Sequence, residues 1–412
     1  MPKKLHVIAR IAVRPLSLAI GLGFTNGVLA EANPYYIGAS QAFTHDSNVF
    51  RRPDNGTLPV VADTVSSTGL LGGIDQPFGR QRFFANGTAA VNRHKNLDQL
   101  NNTSYGLTAG LDWSTIERLS GNVRLSANQS LANYGDVNAA TTTEKNLQKS
   151  RQFSANARYG LAASLGLEGG VEHGSVDFSA PNDLRTVRQD SANLGLRWGG
   201  GGPLSVGVSA RTSKAKYPAV ATGIGTTAPD ELKRNDVGVN ATYSPTGIST
   251  FSGHLNATRE DHSLDNQSDF HGITGGVAWD YHLSGKLNLT ATLNRDTGTA
   301  TTFMQLVQSP LPTTPLTPPT VTTVRVDANR VSTSAQLGFN YELTAKIQFN
   351  GDVAHIGSST GDTSSEALTR YSIGAKYQPT RTISLGCNAG RESRSGVYSA
   401  HTVGCNAELA FR

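Results

Sequence analysis

The fold is decided by the last twelve residues, His401-Thr402-Val403-Gly404-Cys405-Asn406-Ala407-Glu408-Leu409-Ala410-Phe411-Arg412. Every second residue from Val403 to Phe411 is apolar, and the residues between them are glycine, alanine or polar. A strand places successive side chains on opposite faces, so this segment predicts a strand with one apolar and one polar wall. An aromatic residue at its end is typical of a membrane strand that meets the lipid headgroups.

The same alternation recurs along the chain in about eighteen segments. They run over 35–43, 63–74, 80–93, 102–113, 120–133, 150–161, 165–178, 188–199, 203–216, 231–244, 248–262, 269–282, 286–299, 327–342, 346–357, 368–379, 382–394 and 398–412. Open twisted sheets rarely exceed about ten strands, and the apolar faces are rich in Ala and Gly, which suits a lipid-facing wall. The segment 35–43 is the weakest, so sixteen strands, or an N-terminal segment in the lumen, would also fit.

Short and long connections alternate between these segments. Short turns fall near 76–79, 162–164, 200–202, 284–285 and 343–345, and long polar loops at 44–62, 134–149, 217–230 and 300–326. Outer-membrane barrels have short periplasmic turns and longer extracellular loops. The pattern predicts an all-β fold, a transmembrane antiparallel up-and-down β-barrel with both termini at the periplasmic rim. The proline-rich segment 300–326 cannot continue a ladder, and we expect an extracellular loop or an inward constriction.

Aromatic residues give independent support for the membrane orientation. Every second strand ends in an aromatic on the parity of its apolar face: Trp113, Tyr159, Trp198, Tyr243, Tyr281, Tyr341, Tyr377 and Phe411. Such residues form the belt at the periplasmic interface. The candidates for the opposite belt are less regular: Tyr134, Tyr217, Phe270 and Tyr398.

The first thirty residues have the composition of a signal peptide. Four basic residues lie within the first fourteen, residues 11–24 are largely apolar, and Val28-Leu29-Ala30 resembles a cleavage site. We therefore assign 1–30 to a signal peptide and 31–412 to the barrel. The chain has 36 basic and 31 acidic residues, and four of the basic ones lie in the signal peptide, so the mature chain carries a net charge of +1. This balance gives no indication of a nucleic-acid partner.

If the apolar faces contact lipid, the opposite faces line the lumen. By parity, we predict that the basic residues lining it include Arg124, Arg158, Arg197, Arg211, Lys286 and Lys346. Carboxylates share these faces, and such mixed walls favour water and polar solutes. The arginines would either bind an anionic polymer or pair with the carboxylates to hold the shape of the barrel, and both interpretations stay open.

The last hairpin places the two cysteines. If Arg394 pairs with Tyr398 across the turn 395–397, Cys387 lies directly opposite Cys405 on the outward face. Directly opposed residues have Cβ atoms about 4.5–5.5 Å apart, near the range that a disulfide needs. Disulfides persist in exported proteins. We predict a cross-strand disulfide or a pair poised to form one, with two lipid-facing thiols as the alternative.

Motifs of catalysis are missing from the sequence. It contains no G-x-S-x-G, H-E-x-x-H, P-loop or C-x-x-C motif, and its ten histidines have no metal-ligand spacing. We therefore predict a protein that is not an enzyme, with no catalytic, cofactor-binding or metal-binding residues and no cofactor. A Ser/His site on the outer wall, invisible to motif search, is the minor alternative.

Two N-terminal stretches resemble a known family. They are Thr44-His45-Asp46-Ser47-Asn48-Val49-Phe50-Arg51 and Gly73-Ile74-Asp75-Gln76-Pro77-Phe78-Gly79-Arg80-Gln81-Arg82-Phe83, with Leu111-Asp112-Trp113 two strands later. Over about residues 35–135 they resemble the β-barrel porin family of exopolysaccharide gene clusters, the EpsL-like outer-membrane proteins. The resemblance implies a role in exopolysaccharide biosynthesis or export, with polysaccharide and periplasmic export components as partners. It supplies no catalytic residues.

The same motifs have a physical interpretation. Asp75-Gln76-Pro77-Phe78-Gly79 suits a tight periplasmic turn, since Pro sets φ and Gly accepts a positive φ. Arg80 and Arg82 would then lie at the periplasmic rim, where they would bind polymer or a periplasmic partner, or pair with rim carboxylates. Asp46-Ser47-Asn48 predicts a polar loop opener and nothing more.

The sequence as a whole predicts an outer-membrane barrel, embedded in the lipid bilayer. The leading prediction is a channel that takes part in exopolysaccharide biosynthesis or export. The alternatives are a general or solute-specific uptake porin, and a plugged barrel with a structural, assembly or lipid-modifying role.

Overall fold

Each strand pairs antiparallel with its neighbours in the chain, and the first strand also pairs with the last, so the sheet closes on itself. The computed structural model describes residues 33–136, 143–162, 164–181, 183–199, 201–223, 226–265, 267, 269–297, 331–360 and 364–411. The predicted signal peptide, 1–30, and the predicted loop 300–326 lie outside these residues. No helix among the described residues is long and apolar enough to cross a membrane.

Eighteen strands form the barrel, as predicted. They are β1 (Tyr35–Asp46), β2 (Asp63–Phe78), β3 (Gln81–His94), β4 (Asn102–Ser114), β5 (Leu119–Leu131), β6 (Leu147–Ala162), β7 (Leu165–Phe178), β8 (Val187–Trp198), β9 (Leu204–Gly223), β10 (Thr226–Thr246), β11 (Ser249–His262), β12 (Phe270–Ser284), β13 (Leu287–Thr297), β14 (Val331–Thr344), β15 (Ile347–Thr360), β16 (Ser364–Tyr377), β17 (Ile383–Arg394) and β18 (Tyr398–Phe411). Short 3₁₀ turns lie at Asp98–Leu100 and Tyr134–Asp136. The weakest predicted strand is a full member of the sheet, because Ile37 pairs with both Phe411 and Gly72.

The outer surface of the barrel is apolar. Ile37 is 69% exposed, Leu70 68% and Val237 65%, and each lies on the apolar parity of its strand. An apolar surface that runs all the way round a closed sheet is costly in water and favourable in lipid. Closure also leaves no strand edge with unpaired backbone groups, which a lipid environment requires. The chain is therefore a transmembrane β-barrel.

The predicted periplasmic aromatic belt is confirmed. Its eight members end β4, β6, β8, β10, β12, β14, β16 and β18, always on the outward parity. Trp198 and Phe411 are more than half exposed. Their level marks the interface at which the strands leave the hydrocarbon.

The predicted belt at the other end of the strands is wrong. Tyr134, Tyr217 and Tyr398 are each at most 5% exposed, so they lie inside the protein. Tyr217 and Tyr398 have the inward parity of β9 and β18, as Phe270 has in β12. Tyr217 packs with other buried apolar residues in the extracellular half of the inner wall. Parity decides the face of a strand residue, which explains the inward position of Tyr217, Phe270 and Tyr398, whereas Tyr134 lies in a 3₁₀ turn.

Two predicted connections are shorter in the structure. β2 continues to Phe78, because Pro77 pairs with Arg82, and only Gly79 and Arg80 form the turn. Gly79 has φ +62°, a conformation that favours glycine. The predicted loop 217–230 is mostly strand, since β9 and β10 extend to Gly223 and from Thr226. Pro218 and Pro229 lie in this hairpin where the register shifts, and bulges tolerate proline.

The register of the last hairpin is the one predicted. Arg394 pairs with Tyr398, and Cys387 pairs with Cys405. The two cysteines have Cα atoms 4.0 Å apart, and their sulfur atoms are bonded. They share the parity of Leu385 and Val403, which are exposed on the outer surface.

Candidate functional site

The predicted arginines of the lumen lie on the inward face of one part of the wall. They are Arg124 on β5, Arg158 on β6, Arg197 on β8 and Arg211 on β9. The side chains of Arg124 and Arg158 point inward and are still 52% exposed. Water therefore reaches the lumen at this level, toward the periplasmic ends of β5 and β6.

Carboxylates on neighbouring strands approach these four guanidinium groups. The nitrogen–oxygen distances are 3.2 Å for Arg124–Asp112, 3.6 Å for Arg158–Glu168, 2.8 Å for Arg197–Glu168 and 3.6 Å for Arg211–Glu172. Pairs exposed to water typically contribute about 0–1 kcal/mol each to stability. The pairing is thus too weak to remove the arginines from interaction with a passing solute.

Arg82 extends this row, whereas Arg80 does not. Arg82 donates from Nε and Nη2 to the two carboxylate oxygens of Asp75, at 2.7 and 2.6 Å. It is the second residue of β3, on the inward parity beside Phe84, and so lies at the periplasmic end of the lumen wall. Arg80 lies in the β2–β3 turn and donates to the carbonyl oxygen of Thr115 at 3.0 Å. Both arginines therefore lie at the periplasmic end of the β2–β3 hairpin, and Arg82 pairs with a carboxylate there.

Lys286 and Lys346 lie outside the wall. Each is the residue before the first residue of its strand, β13 or β15, and each is exposed in a short turn. The predicted strands began one residue too early at both positions. These lysines belong to the periplasmic rim. The inward-facing positive charge of the wall from β3 to β9 therefore comes from five arginines, which we call the arginine row: Arg82, Arg124, Arg158, Arg197 and Arg211.

The wall from β10 to β15 has the opposite charge. Its inward-facing carboxylates are Asp230, Asp236, Glu260, Asp280, Asp296, Glu342 and Asp352. Among the described strand residues of this arc, Arg234 is the one inward-facing arginine or lysine. From β3 to β9 the inward-facing arginines therefore outnumber the carboxylates, and from β10 to β15 the carboxylates predominate, which produces a field across the lumen. We call these two parts of the wall the basic arc and the acidic arc.

Arg234 is the centre of a buried cluster in the extracellular half of the acidic arc. Its guanidinium nitrogens lie 2.8 Å from Asp236, 3.1 Å from Glu260 and 2.8 Å from Asp296, and all four side chains are at most 6% exposed. Thr297 donates to Glu260 at 2.5 Å. One cation shared by three carboxylates ties β10, β11 and β13 together. No set of His, Cys, Asp or Glu in the described residues is arranged to hold a metal ion.

The extracellular mouth is partly covered by the β1–β2 loop, residues 47–62. Asn48 is fully buried, and its side-chain amide bonds both the N–H and the carbonyl oxygen of Arg52. These two hydrogen bonds turn the chain. Phe50, which is 1% exposed, then packs edge-on against Tyr134, with ring centroids 5.2 Å apart. Leu100, from the β3–β4 loop, completes the apolar cluster. The motif predicted to be only a polar loop opener is a packed structural element.

Arg51 connects this loop to β17, two strands away around the sheet. It has φ +52°, and its Nη1 donates to both carboxylate oxygens of Asp46, at 3.0 and 2.8 Å. Its Nε lies 3.2 Å from Glu392 on β17. Tyr398 donates to the same carboxylate at 2.8 Å. Burial disfavours a charged guanidinium, but the two carboxylates outweigh it and raise the pKa of Arg51, so the guanidinium keeps its charge.

The β5–β6 loop, residues 132–146, reaches the same point from another side. Arg394 donates to the carbonyl oxygen of Gly135 at 2.7 Å. A Cβ on Gly135 would lie 2.9 Å from Cζ of Tyr398 and 3.1 Å from Cγ of Arg51. The position therefore requires glycine, because the loop backbone packs directly on these two side chains.

The strand order shows how far these contacts reach. From β17 to β5 there are six steps around the sheet, by way of β18, β1, β2, β3 and β4. Strands about 4.8 Å apart and tilted by about 40° make an eighteen-stranded barrel roughly 35 Å across, so such strands are separated by roughly 30 Å. A contact between their ends requires the loops to fold inward over the opening. We call Asp46, Arg51, Gly135, Glu392 and Tyr398 the mouth latch.

The β7–β8 loop, residues 179–186, is joined to this cover. Arg185 lies 2.6 Å from Asp183 and also donates to the carbonyl oxygen of Asn133 at 3.4 Å. Asn146 donates to Asp183 at 2.7 Å. Burial alone would raise the pKa of Asp183, but the hydrogen bonds and charge of Arg185 together with the amide of Asn146 hold it below its usual range.

This lowered pKa predicts how the β7–β8 loop responds to acid. A carboxylate with a depressed pKa stabilises the fold fully above the unfolded pKa, about 3.9 for Asp, and the contribution is lost as pH falls through the lower folded value. We expect hydrogen exchange in the loop to stay protected, after correction for the intrinsic rate, down to about pH 4 and to rise below it. Asp183→Asn should raise exchange at neutral pH. An unchanged pH profile in that variant would contradict the assignment.

Comparison with known proteins finds solved structures that are similar over most of the chain at low sequence identity. No protein-family model matches the chain, and no curated protein sequence matches it. The outer membrane protein OpdK from Pseudomonas aeruginosa is similar over 92% of this chain and 99% of its own, at 11% identity and a TM-score of 0.45. OccK9 (OpdG) from the same organism covers 92% and 97%, at 11% identity and a TM-score of 0.48. The ferric enterobactin receptor PfeA of P. aeruginosa covers 91% and 81%, at 8% identity and a TM-score of 0.45.

Similarities at this level carry no inference about what passes through the barrel. The resemblance of the N-terminal motifs to the EpsL-like proteins therefore stays a prediction. The closed sheet, its apolar outer surface and its aromatic belt make this chain an outer-membrane β-barrel.

Proposed function

We propose that this barrel is an uptake channel for small polar solutes, with anions favoured along the arginine row. The observation that supports this most directly is the combination of a covered mouth with a charged, water-filled lumen. The β1–β2 and β5–β6 loops meet over the opening through the mouth latch. Beneath them, inward-facing guanidinium groups are about half exposed.

The loops over the mouth favour small solutes over polymers. A bare lumen of an eighteen-stranded barrel is wide, and the loops narrow it from the rim toward the centre. Small hydrated solutes pass beside such loops, whereas a polymer chain with bulky branches requires them to move aside. Export of exopolysaccharide, the leading prediction from sequence, has no comparable structural support and becomes the second outcome of the test.

Opposed charges suit solutes that carry charge themselves. An anionic or zwitterionic solute is attracted to the guanidinium row and oriented by the carboxylates of the opposite arc. Selection by such a field is moderate, because the lumen contains water and the charges are screened by salt. We therefore infer a preference among small solutes rather than strict specificity.

Swelling of proteoliposomes tests the proposal. The purified barrel is reconstituted, and swelling rates are measured with a monosaccharide, a disaccharide, longer linear oligosaccharides and a small organic anion. We expect rates to fall steeply with size and to be higher for the anion than for a neutral solute of equal size. Long oligosaccharides that enter as fast as monosaccharides would overturn the proposal in favour of export. Liposomes without protein are the control. If liposomes with the barrel swell no faster than this control in any solute, the barrel is plugged.

A further inference from the structure

The disulfide between Cys387 and Cys405 lies on the lipid-facing surface. Both residues have the outward parity of β17 and β18. Their neighbours across the adjoining strand pairs are Ala375 on β16 and Phe43 on β1, and Phe43 is exposed on the outer surface. In the inserted barrel, lipid therefore surrounds the two sulfur atoms on the side away from the sheet.

Their depth places them within the apolar band. Cys405 lies six residues before the belt residue Phe411. Cys387 lies four residues after Ile383, the first residue of β17. With a rise of about 3.3 Å per residue and a tilt of about 40°, the sulfurs lie roughly 10–15 Å from the periplasmic end. The outward apolar band of such barrels is about 25 Å tall, so both sulfurs sit near its middle.

Disulfide formation cannot start from that location. The reacting form of a cysteine is the thiolate, and hydrocarbon strongly disfavours a charged group. A water-soluble thiol oxidant also has no access to the lipid-facing wall. We propose that this bond forms in the periplasm, before the barrel enters the outer membrane, and that it fixes the register of the terminal hairpin for insertion.

The chemistry is thiol–disulfide exchange with a periplasmic oxidant that contains a reactive disulfide. The thiolate of one cysteine attacks that disulfide, forming a mixed disulfide and releasing one oxidant thiolate. The thiolate of the second cysteine attacks the mixed disulfide, and the Cys387–Cys405 bond forms as the oxidant leaves. The chain loses two electrons and two protons, and the oxidant is reduced to a dithiol.

The position of the bond explains what it contributes. A slip of one residue between β17 and β18 would turn every side chain of β18 to the wrong face. β18 must also pair with β1 to close the barrel. A cross-link between directly opposed residues permits one register and excludes the neighbouring ones while the chain is still unfolded elsewhere.

Pulse-labelling of cells that make the full chain tests the order of events. Samples are quenched with acid, free thiols are alkylated with a mass-tagged maleimide, and folded barrels are separated from unfolded chains by their heat-modifiable gel mobility. We expect unfolded, urea-extractable chains to carry the disulfide already. Unfolded chains that are reduced, together with folded barrels that are oxidised, would overturn the proposal.

Two further measurements complete the test. The variant Cys387→Ala/Cys405→Ala should convert to the folded form several-fold more slowly than the unmodified chain, and an equal rate would overturn the register role. Barrels folded while a reductant is present in the medium should keep free thiols after it is washed out. Oxidation of thiols in those folded barrels would overturn the inference about access. Neither result depends on what the channel transports.

Discussion

Replacing Arg51 with alanine should increase the single-channel conductance of the barrel in planar bilayers. The guanidinium of Arg51 is the link between the β1–β2 loop and β17, through Asp46 on one side and Glu392 on the other. Without it, the loop loses its charged contact with β17. We expect longer and more frequent visits to a high-conductance level, because the loop then leaves the mouth more often.

The size of the effect follows from the burial of the pair. Breaking a fully buried ion pair costs about 3–5 kcal/mol. Arg51 is 12% exposed, and Glu392 keeps Arg370 as a partner at 2.8 Å, so we estimate about 2 kcal/mol, or about a thirtyfold shift toward the released loop. The change should be visible in the open probability rather than in the stability of the whole barrel, since the sheet is untouched.

Two variants control for other causes. Arg51→Gly also removes the side chain, and in addition it relieves the positive φ of this residue, so it should raise conductance as Arg51→Ala does. Arg259→Ala removes an arginine paired at 3.0 Å with Asp261 on the outer surface, away from the mouth. It should leave conductance unchanged. If all three variants behave like the unmodified barrel, the loop does not limit the current and the mouth latch has no role in permeation.

Period-two alternation was sufficient to predict the barrel because it is a local property. The apolar parity of each strand, read over a few residues, places the side chains that face lipid, and the belt residues such as Trp198 and Phe411 follow from the same rule. Directly opposed pairs such as Cys387 and Cys405 also follow, because a short hairpin turn fixes the register. Errors arose at strand ends, where Lys286 and Lys346 fall in turns.

The mouth could not be predicted in this way. Phe50 packs on Tyr134, and Arg51 contacts Glu392. The members of each pair are far apart in sequence, and they meet because loops fold across the opening. Loop conformation depends on contacts between distant segments and has no periodic signal in sequence. One signal was available: Tyr398 has the inward parity of its strand, so an aromatic in a polar lumen wall already indicated something packed against it.

Removing charge from the arginine row should make the channel less selective for anions. In the triple variant Arg124→Gln/Arg158→Gln/Arg197→Gln, the carboxylates of Asp112 and Glu168 stay behind and remain in water. A unit charge about 8 Å from an ion in water contributes about 0.5 kcal/mol, and salt at 0.1 M reduces this by about half. Three charges then change the free energy of an anion by about 0.75 kcal/mol and that of a cation by the same amount in the opposite sense, so the preference for anions over cations falls about tenfold.

The reversal potential across a bilayer with a salt gradient measures this change. In the triple variant, the reversal potential should move toward that of a cation-selective channel. The shift should be larger at 10 mM salt, where the Debye length is about 30 Å. The matched control lies on the opposite arc. Asp280→Asn/Asp352→Asn removes two carboxylates that accept hydrogen bonds from Thr290 and Ser372, and it should move the potential in the other direction.

These two variants together decide between the two interpretations of the arginines. If the row acts on passing ions, the two potentials move apart and the difference shrinks as salt is added, because screening weakens both arcs equally. If the arginines serve only to pair with Asp112, Glu168 and Glu172, the triple variant changes the stability of the barrel and leaves the potential unchanged. A loss of heat resistance without a change in selectivity would therefore assign the row to the shape of the barrel.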